Sequence, residues 1–575
     1  MSTEDGIPPT PAAPAGYSGS PKTDAMAVTS LILGCIAIGI NLIWMICAVG
    51  RKRFSFFNRT VWTQITGVHF WCAFSLIASA VSSLTLVAAE RDVRPNFLIV
   101  LCDDLGYGDL ACYDNAELKT PHLDHFASQG LKLTSCYAAH PNCSPSRTGL
   151  LTGRTPTRVG IHNWIPMLSP MHVPETEITV ATLLRDAGYD TALSGKWHLN
   201  GWFNLTGQPQ PGEHGFNHWF ATQNNCLPNH RNPYNFVRNG IPLGPLRGYA
   251  ADLVAREAMV WLEQLRDPEK PFFLFVSFHE PHEPIATAPK YQAIYPSDDP
   301  SYSAHHGNIS QMDAAFGSLM QKLDELHLSD NTLVFFTSDN GPARTRFHPN
   351  GSAGPLRDKK GFVAEGGIRV PGIIRWPGKA TPGTVSSEPV IGTDLLPTLC
   401  EIVGVKRPDD RAYDGSSFLP AFSGKPIERA TPLYWHFFAA SGEHQVAIRI
   451  GNWKLSASIA AEKVRDRGGI DAQDQQAIKT APLGKMWLYN LREDPGETFD
   501  YSQREPERLV SMKRILEAKY REVQRESPLW PEWEFARYEA QRILWPDYRG
   551  ARKVPHRNPA IPPYYLDNPL LETIE

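Results

Sequence analysis

A chain of 575 residues with 56 Lys and Arg against 60 Asp and Glu carries a formal charge of −4. So near-neutral a chain lacks the field that nucleic-acid binding needs. A content of 42% hydrophobic and 20% charged residues excludes global disorder, collagen and coiled coil. Nine cysteines are too few for a disulfide scaffold, and 49 prolines with 44 glycines fit a loop-rich enzyme. At ~150 residues per domain the length allows three or four domains, although α/β enzymes often fold as one large domain plus a small one.

Residues 1–24 are a Pro- and Ala-rich leader without a repeating apolar face and are expected to be disordered. Residues 25–50 carry no charge, enough to cross a ~30 Å hydrocarbon layer as a helix. A basic island follows at Arg51, Lys52, Arg53 and Arg59, and residues 61–89 again lack Asp, Glu, Lys and Arg. In one reading both stretches of this 25–89 region span the membrane, with the basic loop cytoplasmic. In the other, the island is a signal-peptide n-region, residues 71–87 its apolar core, and Val87-Ala88-Ala89 a cleavage site before Glu90. Both readings export everything after Glu90, to a periplasmic, extracellular or membrane-anchored location. A buried hairpin is disfavoured because such long uncharged runs are rare in soluble folds. The six cysteines after Ala89 include no C-x-x-C pair, which excludes a zinc ribbon or thioredoxin motif and assigns no disulfide.

The body reads as α/β. Phe97-Leu98-Ile99-Val100-Leu101, Phe272-Phe273-Leu274-Phe275-Val276 and Leu333-Val334-Phe335-Phe336 are continuous apolar runs, the mark of strands covered on both faces. Helical patterns at residues 251–265 and 311–326 alternate with them. A polar cluster follows each strand: Asp103 to Asp109, Gly195-Lys196-Trp197-His198 after Thr191-Ala192-Leu193, His279-Glu280-Pro281-His282, and Ser338-Asp339-Asn340-Gly341. Ligands of open α/β sheets bind beyond the carboxyl ends of the strands, so four such clusters are expected to converge on one site. From about residue 431, strands at Leu433-Tyr434-Trp435, Trp453-Lys454-Leu455 and 487–490 precede a helix opened by Pro506. Its apolar face is Leu509, Met512, Leu516, Tyr520 and Val523. The expected division is a catalytic domain at 90–430, a small α+β domain at 431–526, and an irregular tail at 527–575 wrapping the surface.

Cys143-Ser144-Pro145-Ser146-Arg147 carries the chemistry, followed by Leu151-Thr152-Gly153-Arg154. A cysteine near an arginine is, on its own, a nucleophile or a buried thiol. Here the run resembles the C-x-P-x-R…L-T-G-R signature of the sulfatase family, over roughly residues 94–526. The resemblance implies an alkaline-phosphatase-like large mixed sheet sandwiched by helices, with a smaller C-terminal domain of short antiparallel sheet plus helix. It also implies that a formylglycine-generating enzyme converts Cys143 to formylglycine, whose hydrate can attack sulfur and then expel sulfate. A serine could attack but not eliminate.

Asp103, Asp104, Asp339 and Asn340 offer only oxygen, which favours a hard cation, Ca²⁺ or Mg²⁺, over zinc. The resemblance points to one such ion on these residues, with the modified Cys143 completing the coordination. Alternate residues of an extended segment share a face, so Lys196 and His198 are expected to enter the pocket while Trp197 packs away. Arg147 and Lys196 would hold the formylglycine and developing charge, and the resemblance gives His198 the deprotonation of the hydrate. The family's next His falls on His282 rather than His279. Its second Lys, five positions before Glu365-Gly366-Gly367, falls on Lys360, with Lys359 alongside. Both would bind sulfate, and one could protonate the leaving alcohol.

The resemblance thus implies hydrolysis of a sulfate monoester. Phosphonate or phosphodiester hydrolysis within the same superfamily, or non-enzymatic binding of sulfated glycans, are the alternatives. The segment His214-Gly215-Phe216 and residues 224–231 resemble arylsulfatases and N-acetylgalactosamine-6-sulfatases, so a sulfated carbohydrate or aryl sulfate is the expected substrate. Trp164, Trp202, Trp219 and Tyr234 are candidates to stack on sugar rings.

Overall fold

The computed structural model describes residues 94–345, 348–462, 468–537, 539–540 and 542–545. The expectations for the leader, for the 25–89 membrane or targeting region, and for the end of the tail lie outside the described residues. No helix among the described residues is long and apolar enough to cross a membrane.

The strands up to residue 400 are β1 (Asn96–Asp103), β2 (Leu131–Leu133), β3 (Cys136–Tyr137), β4 (Asp190–Lys196), β5 (His218–Thr222), β6 (Val237–Arg238), β7 (Ile241–Pro242), β8 (Phe272–Pro281), β9 (Thr332–Ser338), β10 (Gly372–Arg375), β11 (Thr384–Ser386) and β12 (Val390–Ile391). All but β3 and β12 join one ten-stranded mixed sheet in the order β11-β2-β10-β9-β1-β8-β4-β5-β6-β7, while β3 pairs with β12. The centre is parallel: β1 pairs with both β8 and β9, and β4 with both β8 and β5. Strands β9, β1, β8 and β4 therefore end at the same sheet edge, and each delivers its polar cluster there. The flanks turn antiparallel at β10 and β6.

The apolar runs serve two cores at once. Phe97, Ile99 and Leu101 of β1 pack with Phe273, Phe275, Leu333 and Phe335 on one face. Leu98 and Val100 pack with Leu274, Val276, Val334 and Phe336 on the other. On the first face lie helices α1 (Cys143–Thr152), α2 (Val180–Asp186) and α3 (Leu395–Val403), with Leu150, Leu184 and Leu396 in that core. On the second lie α4 (Ala250–Val260) and α5 (Pro300–Glu325), with Val254 and Met312. Helix α5 starts about ten residues before the apolar pattern does, because its first turns bury His305, His306 and Asn308.

A second sheet, antiparallel, runs β13 (Leu433–His436), β14 (Val446–Ile450), β15 (Trp453–Ile459) and β16 (Leu483–Asn490). Its face packs Ile448, Leu455 and Leu488 against Met512, Leu516, Tyr520 and Val523 of α7 (Pro506–Glu526), as the helical spacing predicts. Two elements here were not anticipated: β14, a five-residue strand joined to β15 by the two-residue turn Gly451-Asn452, and α6 (Ala472–Thr480). A buried ion network joins α7 to the segment after α1. Arg158 reaches Asp414 at 2.9 Å, Glu522 at 2.5 Å and Glu526 at 2.5 Å. Arg154 reaches Glu177 at 2.7 Å and Glu526 at 3.0 Å, and Lys519 reaches Asp414 at 2.5 Å. Burial opposes the Asp414 charge, but Arg158 and Lys519 hold its carboxyl far below the usual range.

The described residues between 528 and 545 contain no helix or strand element. Glu539 is buried, accepting from Asn224 Nδ2 at 2.8 Å and from the Asn225 amide at 2.9 Å.

Candidate active site

Cys143 opens α1, the end at which a helix is partially positive, and its side chain is buried. One turn on, Arg147 lies fully inside the protein. Its Nε and Nη2 take Asp339 Oδ2 at 2.9 and 2.8 Å, and its Nη1 donates to Lys196 O at 3.0 Å and to Ser277 Oγ at 2.6 Å. Ser277 was not anticipated; a serine inside an otherwise apolar strand was the signal.

Asp103 ends β1, and Asp104 follows in the left-handed region at φ 67°, a conformation that Asp tolerates better than most residues. The turn sends the two carboxylates different ways. Asp103 Oδ2 accepts from Lys196 Nζ at 2.5 Å. Asp104 Oδ1 accepts from Asn340 Nδ2 at 2.7 Å and pairs with Lys360 Nζ at 2.6 Å. The Asp104 amide donates to Asp339 Oδ1 at 3.2 Å. Three buried oxygens remain without a hydrogen bond: Asp103 Oδ1, Asp104 Oδ2 and Asn340 Oδ1. A buried oxygen without a partner is unfavourable by roughly 1–3 kcal/mol, so three together mark a place built for something else. One ligand atom each from Asp103, Asp104, Cys143 and His282 lies within 4.8 Å of the others. It is the one such group found among the described residues.

Asp109, from the same polar cluster, does not join them. It turns back to the amides of Gly106 and Ser352, both at 2.8 Å, and burial pushes its carboxyl up to about 7.

Lys196 ends β4. The reasoning that placed His198 beside it needs correction, because the strand stops at Lys196 and His198 sits at φ 61°. The left-handed turn, not strand alternation, carries His198 to the pocket, where its Nε2 meets Ile165 O at 3.0 Å and its Nδ1 has no partner. Trp197 does pack away, against His214 and Phe216. Preceding Lys196, Gly195 has φ 115°, and a Cβ there would lie 1.8 Å from Ser277 O, so only glycine fits between β4 and β8.

His282 Nε2 stands 3.6 Å from Asp104 Oδ2, while its Nδ1 meets Glu283 O. His279 is turned inward to Thr222 Oγ1 at 2.7 Å. Lys360 Nζ donates to Cys143 Sγ at 3.4 Å, whereas Lys359 donates to Arg344 O at 2.5 Å, away from the thiol.

The charges set one another. Burial raises the Asp103 carboxyl, but Lys196, His282, Arg147 and Lys360 outweigh it and hold the group well below its ordinary value. Burial and the Asp103 charge push Asp339 upward against the pull of Arg147. Burial, Lys196 and Arg147 together depress His198 strongly, so it stays neutral. Burial also opposes charge on His282, but Asp103 and Asp104 raise it. Behind this layer, burial pushes Glu280 up to about 8; it accepts from the Ala251 amide at 2.9 Å and lies 3.6 Å from His230 Nδ1.

A cavity of about 510 Å³ opens on Cys143, His198, His282 and Lys360, within the roughly 300–1,000 Å³ of small-ligand sites. Its walls include Trp164, Asn224, Phe535, Arg537 and Glu539.

The family model "Sulfatase" matches residues 95–405, and that of the N-sulphoglucosamine sulphohydrolase C-terminal region matches residues 356–525. This chain belongs to the sulfatase family. N-acetylgalactosamine-6-sulfatase of Canis lupus familiaris is 32% identical to this sulfatase, over 76% of this chain and 87% of that protein. Steryl-sulfatase of Rattus norvegicus is 31% identical, over 63% and 76%. The crystal structure of Ps i-CgsB in complex with k-i-k-neocarrahexaose superposes with a TM-score of 0.65 at 26% identity, covering 78% of this chain and 96% of that one. The sulfatase therefore has the expected alkaline-phosphatase-like α/β fold and is a sulfate-ester hydrolase. Its six cysteines after Ala89 are all free.

Proposed function

We propose that this sulfatase, exported from the cytoplasm, removes sulfate from a sulfated carbohydrate, using Cys143 oxidised to formylglycine by a modifying enzyme and one Ca²⁺ or Mg²⁺. The observation that carries this reading is the meeting of the Cys143 thiol, unpartnered carboxylate and amide oxygens, and the cations Lys360 and His282 at one pocket. The donor set fits a hard cation. Asp103, Asp104, Asp339 and Asn340 would hold it, with the side chain at 143. When in place, the ion supplies positive charge to a sulfate oxygen, and the hydrated aldehyde supplies the nucleophilic oxygen.

The remaining work falls to the chain's own groups. Arg147 and Lys196 are locked against Asp339 and Asp103, so their charges need no reorganisation as negative charge develops. Lys360 and His282 border the pocket, and the neighbouring Asp104 and Asp103 carboxylates favour their protonated forms, which suits them to bind the sulfate and to give a proton to the leaving alcohol. His198 is neutral with a free Nδ1, which suits it to accept a proton from the side chain at 143. Two histidines whose environments drive them in opposite directions divide acid from base.

The carbohydrate reading draws on the relatives named above and on the pocket's Trp164. Mass spectrometry of the peptide containing Cys143 tests the modification, with an expected loss of about 18 Da. Turnover of 4-nitrophenyl sulfate against 4-nitrophenyl phosphate tests the reaction. Faster phosphate release would favour a phosphoryl hydrolase, and glycan binding without sulfate release would favour a binder.

A further inference from the structure

The segment after α7 builds one wall of the pocket, and it lies beyond both family-model matches, which end at residues 405 and 525. It is fastened on either side of the pocket. On one side, Trp530 Nε1 donates to Gly160 O at 2.7 Å, and Trp533 exchanges backbone bonds of 2.9 and 3.0 Å with Ile470. On the other, Glu539 is held by Asn224 and Asn225, and the Leu544 amide donates to Pro228 O at 3.1 Å.

Between these fastenings stand Phe535 and Arg537. Phe535 meets Trp164 edge-to-face at 5.3 Å. Gly468 permits the approach, since a Cβ there would lie 2.9 Å from one ring and 3.0 Å from the other. Arg537 holds a left-handed backbone at φ 56°, which costs a residue of this kind about 1–2 kcal/mol. It has neither an ion pair nor a hydrogen bond among the described residues. An exposed arginine is ordinarily just solvated. This one borders the same pocket as Cys143 and Lys360, while the nearby Glu539 is already engaged with Asn224 and Asn225.

A guanidinium without a partner recognises a carboxylate or a sulfate with two parallel hydrogen bonds, and an aromatic face beside it suits a sugar ring. A neighbouring cavity of about 1110 Å³ shares Phe535 and Arg537 but is lined by Asp471, Asp474, Glu532 and Glu534, which repel an extended polyanion. We propose that Arg537, with the Phe535–Trp164 pair, forms a subsite for the alcohol half of the substrate, selecting a short sugar that carries a second anionic group beside the sulfate to be cleaved. This deepens the sulfatase reading above and rests on it.

Calorimetry on the full chain with Cys143→Ala and Ca²⁺ tests the subsite without turnover. The probes are N-acetylgalactosamine 6-sulfate, its 4,6-disulfate, and the disaccharide in which a uronate precedes the 6-sulfated sugar. The second anion should tighten Kd about ten- to hundredfold, and adding Arg537→Ala should abolish that gain. Arg537→Lys should restore only part of it, because an ammonium cannot bind in two parallel bonds. The probe with the larger gain tells sulfate from carboxylate. A gain that survives Arg537→Ala overturns the subsite, and so does an equal loss on all three sugars. With the enzyme active, Arg537→Ala should lower the kcat/KM ratio of disulfate to monosulfate by a similar factor, through KM. If the unsubstituted enzyme frees no sulfate while the calorimetric gain stands and depends on Arg537, the hydrolytic mechanism falls and the binding site does not.

Discussion

The floor and the wall of the pocket are built on opposite terms. Behind the floor that Cys143, His198, His282 and Lys360 line, Asp103, Arg147, Lys196 and Asp339 are each at most 1% exposed, and every charge has an opposite one in contact. On the wall, Arg537 is exposed and forms no ion pair among the described residues. The floor is fixed by strand ends that the hydrophobic core holds rigid. The wall is fixed by a few hydrogen bonds from an irregular segment. Chemistry that is the same for every sulfate ester belongs on the first kind of scaffold. Discrimination between substrates belongs on the second, where side chains can change without exposing a buried charge.

The strongest way to break this comparison is at the nucleophile. Cys143→Ala should take sulfate release, followed by ion chromatography, down by a factor on the order of 10⁶, as other nucleophile deletions do. Lys196→Met removes the partner of Asp103 and should lower kcat by about 10²–10³. It should also reduce stability by about 3–5 kcal/mol, read from denaturant unfolding, because the buried Asp103 loses its nearest cation and keeps only Arg147 at 3.9 Å.

Away from the pocket, Asp414→Asn should lose a similar 3–5 kcal/mol at pH 7 while kcat per folded molecule is kept. The Asp414 carboxyl is depressed in the fold, so its contribution is present above the ordinary value near ~3.9 and fades as pH falls towards the folded value. The deficit of the variant should shrink over the same acid range. Dialysis against EDTA should lower Tm and activity together, with Ca²⁺ or Mg²⁺ restoring both; an ion at 100 times its Kd contributes ~2.7 kcal/mol. Glu280 is expected to show a pH slope rather than a fixed loss. Its carboxyl is raised to about 8, so the unfolded chain loses that proton first and stability falls as pH rises from ~4.3 to about 8. Glu280→Gln should flatten that slope relative to the parent protein, measured by urea unfolding at each pH.

Much of the floor could be read from the chain because its residues come in contiguous runs at the ends of buried strands. Asp103-Asp104, Asp339-Asn340 and Lys196 each follow an apolar stretch whose burial on both faces is visible in composition. Tertiary context decided what remained. Lys359 and Lys360 are equivalent as letters, and only the fold turns one to the thiol. His198 borders the pocket through a left-handed turn rather than through strand alternation, and such a turn leaves no periodic trace. Ser277 hides in an apolar strand. The wall was the least legible part, because Phe535, Arg537 and Glu539 carry no repeat or spacing, and their partners Trp164, Gly468 and Asn224 lie 67 to 371 positions away. Strand β14 was lost for a simpler reason: its five residues, Val446 to Ile450, give too short an alternation to register, although the Gly451-Asn452 turn into β15 was there to be read.

The ion network around Arg158 sets a lower limit on how far this enzyme can be pared down. Its guanidinium is wholly enclosed and takes two of its acidic neighbours, Glu522 and Glu526, from the last long helix. A version that stopped before residue 506 would retain every group on the pocket floor, yet it would leave that cation with Asp414 alone and uncover the apolar surface of the second sheet. Hydrolytic machinery and C-terminal helix are inherited as one piece, so grafts that aim to alter what the enzyme accepts should begin after Glu526.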